Sequence, residues 1–373
     1  MSKKLKIFIN ALVLTLIIAV LTIGGWLIGI DVSRKTSTLS FDALNGIVTK
    51  AILFIGDGMG ENHIKTTGAY YEKDMFLHSL PYSGEITTYS NSIVSPTDSA
   101  AAGSALSTGK KYDNKEVARH NGEDIKSISE YAKEKGLGVG IVTTDSLSGA
   151  TPASFSSHAN KRGDTEDIIK GQLNSNIDLF IGGGLDTYKP YKQQFGDKGY
   201  KTVETLENLT YDYAKVFACF SGVASESGQY YAPTLEMMTS YAIGFLEKNF
   251  PQGYFLMIEG AHIDKMSHNN NILDMVSYLN NFDASIKLAY DKLKDQNVSI
   301  IITADHETGG LYFNNETKAQ INNKMYTTGG HTSTNVPYYF YINPKKEVEI
   351  NKIVPKKMDN TDIFKLNKAL LNI

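Results

Sequence analysis

The whole chain holds one cysteine, Cys219. No intrachain disulfide can form, and zinc sites built on thiolates are excluded. Cys219 lies in an apolar run, residues 216–220, which points to a buried structural thiol rather than a nucleophile. Charge of one sign is also scarce. Lys and Arg number 37 against 40 Asp and Glu, a net charge of −3, so there is no electrostatic footprint for a nucleic-acid partner. No internal repeat, low-complexity tract or Pro/Gly/Ser-rich linker interrupts residues 46–373, which read as one domain. With 373 residues, 42% of them apolar, the chain can bury a large core. Any metal site must be built from His, Asp, Glu and hydroxyl groups.

The long apolar run is at the N-terminus. Residues 7–30 are almost wholly apolar and follow three lysines, Lys3, Lys4 and Lys6. As a helix at 1.5 Å per residue the run spans roughly 36 Å, enough to cross a bilayer. It exceeds the usual length of a cleaved signal's apolar region, and no small-x-small cleavage site follows. The expectation is a cytoplasmic stub and single-pass signal anchor over residues 1–30, with the remaining chain outside the cell membrane. The Ser/Thr-containing residues 31–45 read as a tether.

Short apolar runs recur through the body at residues 50–55, 138–143, 177–181, 216–220, 254–258, 298–303 and 338–342. Helical periodicity lies between several of them, most clearly over 234–249 and 272–294. Buried strands alternating with helices predict an α/β fold, a central, mostly parallel sheet flanked by helices on both faces. Polar residues stand just past the strand ends: Asp57, Thr151, Glu259, Asp305 and His306. Ligands of such sheets bind at the carboxyl ends of the strands. Acidic groups gathered there repel one another unless cations lie between them. Asp264 and His268 are four apart and share a helical face, and His331 follows a glycine-rich stretch. Imidazole with carboxylate suits Zn²⁺, and an all-oxygen set such as Asp57, Thr151 and Glu259 suits Mg²⁺. On spacing alone each residue also fits an ordinary turn or cap, and both readings stay open. His63, His78 and His120 read as satisfied surface or core groups.

Residues 96–109 read P-T-D-S-A-A-A-G-S-A-L-S-T-G. Asp98 or Ser99 can cap a helix that starts near Ala100. A serine there stands where backbone N–H groups converge, a place that favours an anion such as a phosphoryl group. Taken by itself, the stretch equally fits a capped helix packed through its small face.

Together these segments resemble the alkaline phosphatase family. The resemblance is carried by Ile55-Gly-Asp57-Gly-Met-Gly60, Thr97-Asp-Ser99-Ala-Ala, Ala150-Thr151-Pro152, His158 with Arg162, Glu259-Gly with Asp264 and His268, Ala304-Asp305-His306, and Gly330-His331-Thr332. It runs in family order from Lys50 to Pro337. It implies a three-layer sandwich and hydrolysis of phosphate monoesters through a phosphoserine on Ser99, with two Zn²⁺ and one Mg²⁺. Asp264, His268 and His331 would hold one zinc. Asp57, Asp305 and His306 would hold the other, which also contacts the Ser99 oxygen. Asp57, Thr151 and Glu259 would hold the magnesium. Arg162 would clamp the phosphate, and Lys265 would reach it through water.

The chain departs from the family at two places. Gly149 stands where relatives often carry Asp or His near the magnesium, so Lys265 is left without a carboxylate partner from that position. A loosely held magnesium is expected, with Gly149→Asp reducing the need for added metal. Only about twenty residues separate Gly310 from His331, so the large insertion of many relatives is missing. A homodimer is among the assemblies the resemblance allows, without the contacts such an insertion provides. A diesterase or sulfatase on the same metal scaffold, a phosphomutase relative, and a metal-binding protein without activity are the competing readings. An intact Ser99, Arg162 and ligand set favours the monoesterase.

Overall fold

The computed structural model describes residues 37–92, 95–225 and 232–373. The apolar run expected to anchor the chain lies outside the described residues. Among those described, no helix is long and apolar enough to cross a membrane. The compact unit comprises Leu39–Ile373. It begins earlier than the boundary expected at residue 46: Phe41 and Leu44 are buried, and the Gly46 N–H donates to the Ala369 carbonyl at 2.9 Å.

One sheet of ten strands organises the unit. In chain order these are β1 Lys50–Ile55, β2 Tyr82–Thr87, β3 Gly138–Ser146, β4 Leu179–Gly183, β5 Tyr200–Val203, β6 Lys215–Phe220, β7 Tyr254–Glu259, β8 Val298–Thr303, β9 Val336–Asn343 and β10 Lys357–Asp359. Across the sheet the order is β10-β2-β9-β8-β1-β7-β3-β4-β6-β5. Only β9 runs against its neighbours. The central strands β1, β7 and β8 are buried at every residue, as expected when helices cover both faces. Ala51 and Phe255 are register partners. Phe54, three residues on, therefore points to the opposite face. Its ring meets Phe282 edge-on, with centroids 5.8 Å apart, whereas Phe255 stacks on Phe155 at 6.2 Å.

The helices of the unit include α1 Glu61–Tyr71, α2 Ser99–Thr108, α3 Ala150–Ser156, α4 Leu235–Asn249, α5 His262–His268, α6 Ile272–Leu293 and α7 Asn360–Leu371. Helix α6 packs on α4, α5 and α1, while α2 packs on α3 and α7. Every residue of α2 is buried. Its alanines and Gly103 allow this; a β-carbon on Gly103 would stand 3.2 Å from the Ser154 hydroxyl of α3. Cys219 is buried, its thiol donates to the Gly183 carbonyl, and burial pushes that thiol up to about 12.

Four neighbouring strands, β8-β1-β7-β3, run parallel; β8, β1 and β7 end together, level with Thr143 of β3. Ile55 is level with Thr303 and with Glu259, and Glu259 is level with Thr143. The packing behind this edge is tight. A β-carbon on Gly260 would lie 2.7 Å from the Phe282 ring, so Phe282 seats directly behind Glu259. Truncating this fully buried ring to alanine leaves a cavity, and Phe282→Ala is expected to cost about 3–5 kcal/mol. Urea unfolding of the two proteins measures the difference, and a loss below about 1 kcal/mol would show that the ring is not part of the core.

Candidate metal and phosphate site

The Asp98 carboxylate, and not the Ser99 hydroxyl, caps α2. It accepts from the Ala101 N–H at 3.0 Å. The capping oxygen also accepts from the Lys115 N–H at 3.0 Å, and the other oxygen lies 3.3 Å from Nη1 of Arg162. One carboxylate thus fixes the start of the helix and orients the guanidinium expected to clamp phosphate. Ser99 becomes the first helical residue. Its side chain is free of capping duty and lies 3.2 Å from Nε2 of His306.

Asp57, Asp305 and His306 converge past the ends of β1 and β8, with one ligand atom from each within 4.8 Å of the others. Asp305 Oδ1 accepts from the Gly58 and His306 N–H groups at 3.1 and 2.9 Å. Asp305 Oδ2 and Asp57 Oδ1 are buried without a hydrogen-bond partner. Gly58 makes this turn feasible. Its φ is +72°, and a β-carbon would come within 2.9 Å of the Asp264 backbone. Both the conformation and the space therefore demand glycine.

Proton accounting fixes the His306 ring. The Thr308 hydroxyl donates its single hydrogen to Asp264 Oδ1 at 2.5 Å, since an ionised carboxylate only accepts. It must then accept from His306 Nδ1 at 3.2 Å. The lone pair of His306 therefore sits on Nε2, beside Ser99 Oγ, Asp305 Oδ2 at 3.3 Å and Asp57 Oδ1 at 3.6 Å. Burial, and next the His331 ring, hold His306 down at about 3. Burial also raises Asp305, and it raises Asp57 well above the usual carboxylate range, Asp57 further through its acidic neighbours Asp305, Asp264 and Glu259.

The second expected set adjoins the first. His268 Nδ1 donates to the Gly329 carbonyl at 2.7 Å, and His331 Nδ1 to the Thr97 carbonyl at 2.8 Å. Both Nε2 lone pairs then face inward, 3.1 Å apart, with Asp264 Oδ1 3.3 and 3.8 Å away. Three electron-rich atoms in such proximity are relieved by a shared cation. His306 also falls within 4.8 Å of Asp264 and His331, and the His306 and His331 rings stack at 3.5 Å.

The oxygen set lies on the other side of Asp57. Glu259 is fully buried and accepts from the Thr143 hydroxyl. Thr151 Oγ1 faces the same carboxylate and offsets some of its shift, but it has no hydrogen bond of ordinary geometry. Burial first, then Asp145, push Glu259 up to about 8. Lys265 forms an ion pair with Asp145.

All eleven residues expected from sequence lie at this edge of the sheet. Four more, Asp98, Thr143, Asp145 and Thr308, carried no site role on sequence grounds. Asp145 could have been found by the rule that found Asp57, because it too is polar and sits at a strand end. Thr143 and Thr308 are ordinary β-strand residues by type. Of the five remaining histidines, four serve elsewhere: His63 bridges the Gly60 N–H and the Ser267 hydroxyl, His78 lies by Glu61, and His158 and His120 pair with Glu130 and Glu116; the fifth, His262 at the start of α5, stacks on Tyr278 with ring centroids 4.5 Å apart.

The family model described as alkaline phosphatase matches residues 49–209 and 221–368. Alkaline phosphatase 4 of Bacillus subtilis is 29% identical over 339 residues, covering 83% of this chain and 72% of that protein. Alkaline phosphatase 3 of the same organism is 33% identical over 289 residues, covering 70% and 62%. The structure of alkaline phosphatase from the Antarctic bacterium TAB5 superposes with a TM-score of 0.75 at 29% identity, covering 87% of this chain and 98% of that one. A variant of the TAB5 enzyme is described with Mg bound in its M3 site. The chain belongs to the alkaline phosphatase family of metal-dependent phosphomonoester hydrolases.

Proposed function

We propose that the chain hydrolyses phosphate monoesters through a phosphoserine on Ser99, with two Zn²⁺ and one Mg²⁺ held by the three sets described above. The observation that carries this reading is the Ser99 hydroxyl at a helix N-terminus, 3.2 Å from His306 Nε2, beside buried ligand atoms that have no partner: Asp57 Oδ1, Asp305 Oδ2 and Thr151 Oγ1. The donor set fits the metals. Asp264, His268 and His331 offer the mixed nitrogen and oxygen ligands that suit zinc, as do Asp57, Asp305 and His306. Asp57, Thr151 and Glu259 offer the oxygens that suit magnesium.

Asp57, Asp305, His306, Asp264, His268 and His331 would hold the divalent cations, which would supply charge stabilisation for the attacking and leaving oxygens. The chain's own residues do the rest. Arg162 presents a planar fork to two phosphate oxygens, aimed by Asp98. The N–H groups at the start of α2 would face the phosphoryl group as Ser99 Oγ approaches it. The Oγ–P bond forms as the ester P–O bond breaks and the alcohol leaves. Water then cleaves the phosphoserine, freeing inorganic phosphate and restoring Ser99. For the apolar run over residues 7–30, with three lysines before it, we propose a membrane anchor that keeps the catalytic unit outside the cytoplasm. A homodimer is carried as a proposal on family resemblance alone.

Ser99→Ala should abolish phosphoenzyme formation while zinc content stays near wild type. Acid-quench labelling with radioactive phosphate beside metal analysis reads both, and wild-type turnover in the variant would overturn the nucleophile assignment. Arg162→Ala should weaken inhibition by inorganic phosphate about 10-fold, the low end for a charge-assisted pair, because the guanidinium is 40% exposed. An unchanged inhibition constant would exclude the clamp.

The raised carboxylates give a pH test. Glu259 binds its proton up to about 8 in the folded chain and only to about 4.5 when unfolded. Asp57 and Asp305 shift in the same direction. The stability these groups contribute is present below their unfolded values and is lost as pH rises through the folded ones. His306 acts oppositely, but only below about 6.5, where its unfolded form gains a proton. Between pH 6.5 and 8 the chelator-stripped protein should therefore melt at progressively lower temperature, and added zinc and magnesium should stabilise it more at pH 8. A metal-induced rise in melting temperature that is equal at both pH values would contradict the assignment.

A further inference from the structure

Lys265 does have a carboxylate partner, and it comes from a residue that carried no site role on sequence grounds. Asp145 lies near the end of β3, where the pairing slips. Val142 is level with Ile181 of β4 and Ser146 with Gly183, so β3 takes four steps while its neighbour takes two. Such irregularities re-aim side chains beside functional sites. Here the Asp145 carboxylate is turned onto the Lys265 ammonium. Its place is fixed by the backbone: the Asp145 N–H donates to Thr143 Oγ1 at 2.8 Å, and Asp145 Oδ1 accepts from the Ser146 N–H at 2.6 Å. The same Thr143 hydroxyl donates to Glu259, so Asp145 is tied directly to the oxygen set.

Position 149 explains why this carboxylate and no other does the work. The Gly149 backbone, with φ −58° and ψ 159°, is open to any residue, so glycine is not needed for conformation. It is needed for space. A β-carbon at 149 would stand 2.6 Å from Asp145 Oδ2 and 2.9 Å from the Ser146 carbonyl oxygen. A side chain at 149 and the Asp145 carboxylate thus compete for one volume, and this chain gives it to Asp145. On this reading Gly149→Asp fills no vacant role, because Asp145 already occupies that space and already pairs with Lys265.

We propose that Asp145 is the positioning carboxylate of the magnesium site, holding Lys265 and supplying negative charge beside Glu259 and Thr151 in exchange for a side chain at position 149. The inference rests on the reading of Asp57, Thr151 and Glu259 as a magnesium site. Loss of groups that orient ligands commonly weakens metal binding about 10–100-fold, and that is the expected effect of Asp145→Asn, which keeps the shape and removes the charge. Gly149→Asp alone should also weaken binding, because it displaces Asp145. The double variant Asp145→Ala/Gly149→Asp should bind magnesium more tightly than Asp145→Ala, since the carboxylate then enters from the other position.

Calorimetric titration of Mg²⁺ into the zinc-loaded full chain reads these affinities without reference to turnover, and circular dichroism melting confirms that each variant is folded. If the wild-type protein shows no magnesium binding, the magnesium reading itself falls, and this inference with it. If the wild type binds but Asp145→Asn binds within about threefold of it, well short of the usual loss, only the Asp145 inference is overturned. A double variant that binds no better than Asp145→Ala overturns the exchange between the two positions.

Discussion

Repulsion between like groups is the constraint on which this structure depends. The ends of β8, β1, β7 and β3 bring Asp305, Asp57, Glu259 and Asp145 to one edge, and the first three are buried. Two histidine lone pairs face each other at 3.1 Å, and a third points at two more carboxylates. For the buried carboxylates Asp57, Glu259 and Asp305, ionisation this close together is costly unless cations share the charge. The raised proton affinities of Asp57, Glu259 and Asp305 express the same cost. Either protons or metal ions must be bound there, and at alkaline pH protons are scarce.

The sheet meets this cost with ordinary hydrophobic packing. Central strands buried on both faces fix the register of their own ends, because a slip of one residue would turn every side chain to the other face. Phe282, lodged against Gly260, locks the level of Glu259 relative to α6. Gly58 admits Asp264 from α5 to within a distance that no other residue would permit. The ligands are therefore brought together by packing energy spent elsewhere in the molecule, and the site itself need not be stabilising.

Much of this was legible in the sequence because the central strands are continuous apolar runs. Residues 50–55, 254–258 and 298–303 stand out from their surroundings, and the polar residues after them follow from the rule that such sheets bind ligands at their carboxyl ends. Three strands were not legible: Tyr82–Thr87, Tyr200–Val203 and Lys357–Asp359. They lie at or next to the edges of the sheet, where one side meets solvent and the pattern only alternates, as the burial of Tyr82–Thr87 does. Asp145 was missed for a different reason. It stands two residues past the apolar run that ends at 143, where the rule that found Asp57 also applies, but the slip in pairing that carries the strand on to Ser146 and turns Asp145 onto Lys265 has no mark in residue types. The cap on α2 stayed open between Asp98 and Ser99 because both residue types cap helices well. The Ala101 N–H bond to Asp98 removes the ambiguity, and the further role of Asp98, holding Arg162, is a contact that spans 64 positions of sequence.

A division of labour within each side chain connects packing to chemistry. Asp305 uses Oδ1 to accept two backbone N–H groups and leaves Oδ2 free. His268 and His331 use Nδ1 on backbone carbonyls and leave Nε2 free, and His306 does the same through Thr308. In each case one polar atom is anchored to the scaffold and the other is presented. Anchoring to backbone is what makes the presentation rigid, since a backbone group held in a strand or turn cannot follow a departing ligand. Asp145 is anchored too, with its backbone N–H on Thr143 and its Oδ1 on the Ser146 N–H, but the same Oδ1 also meets Lys265. That anchoring also explains why Asp145 and a side chain at 149 exclude each other: each would need its own anchor, and the end of β3 has space for one.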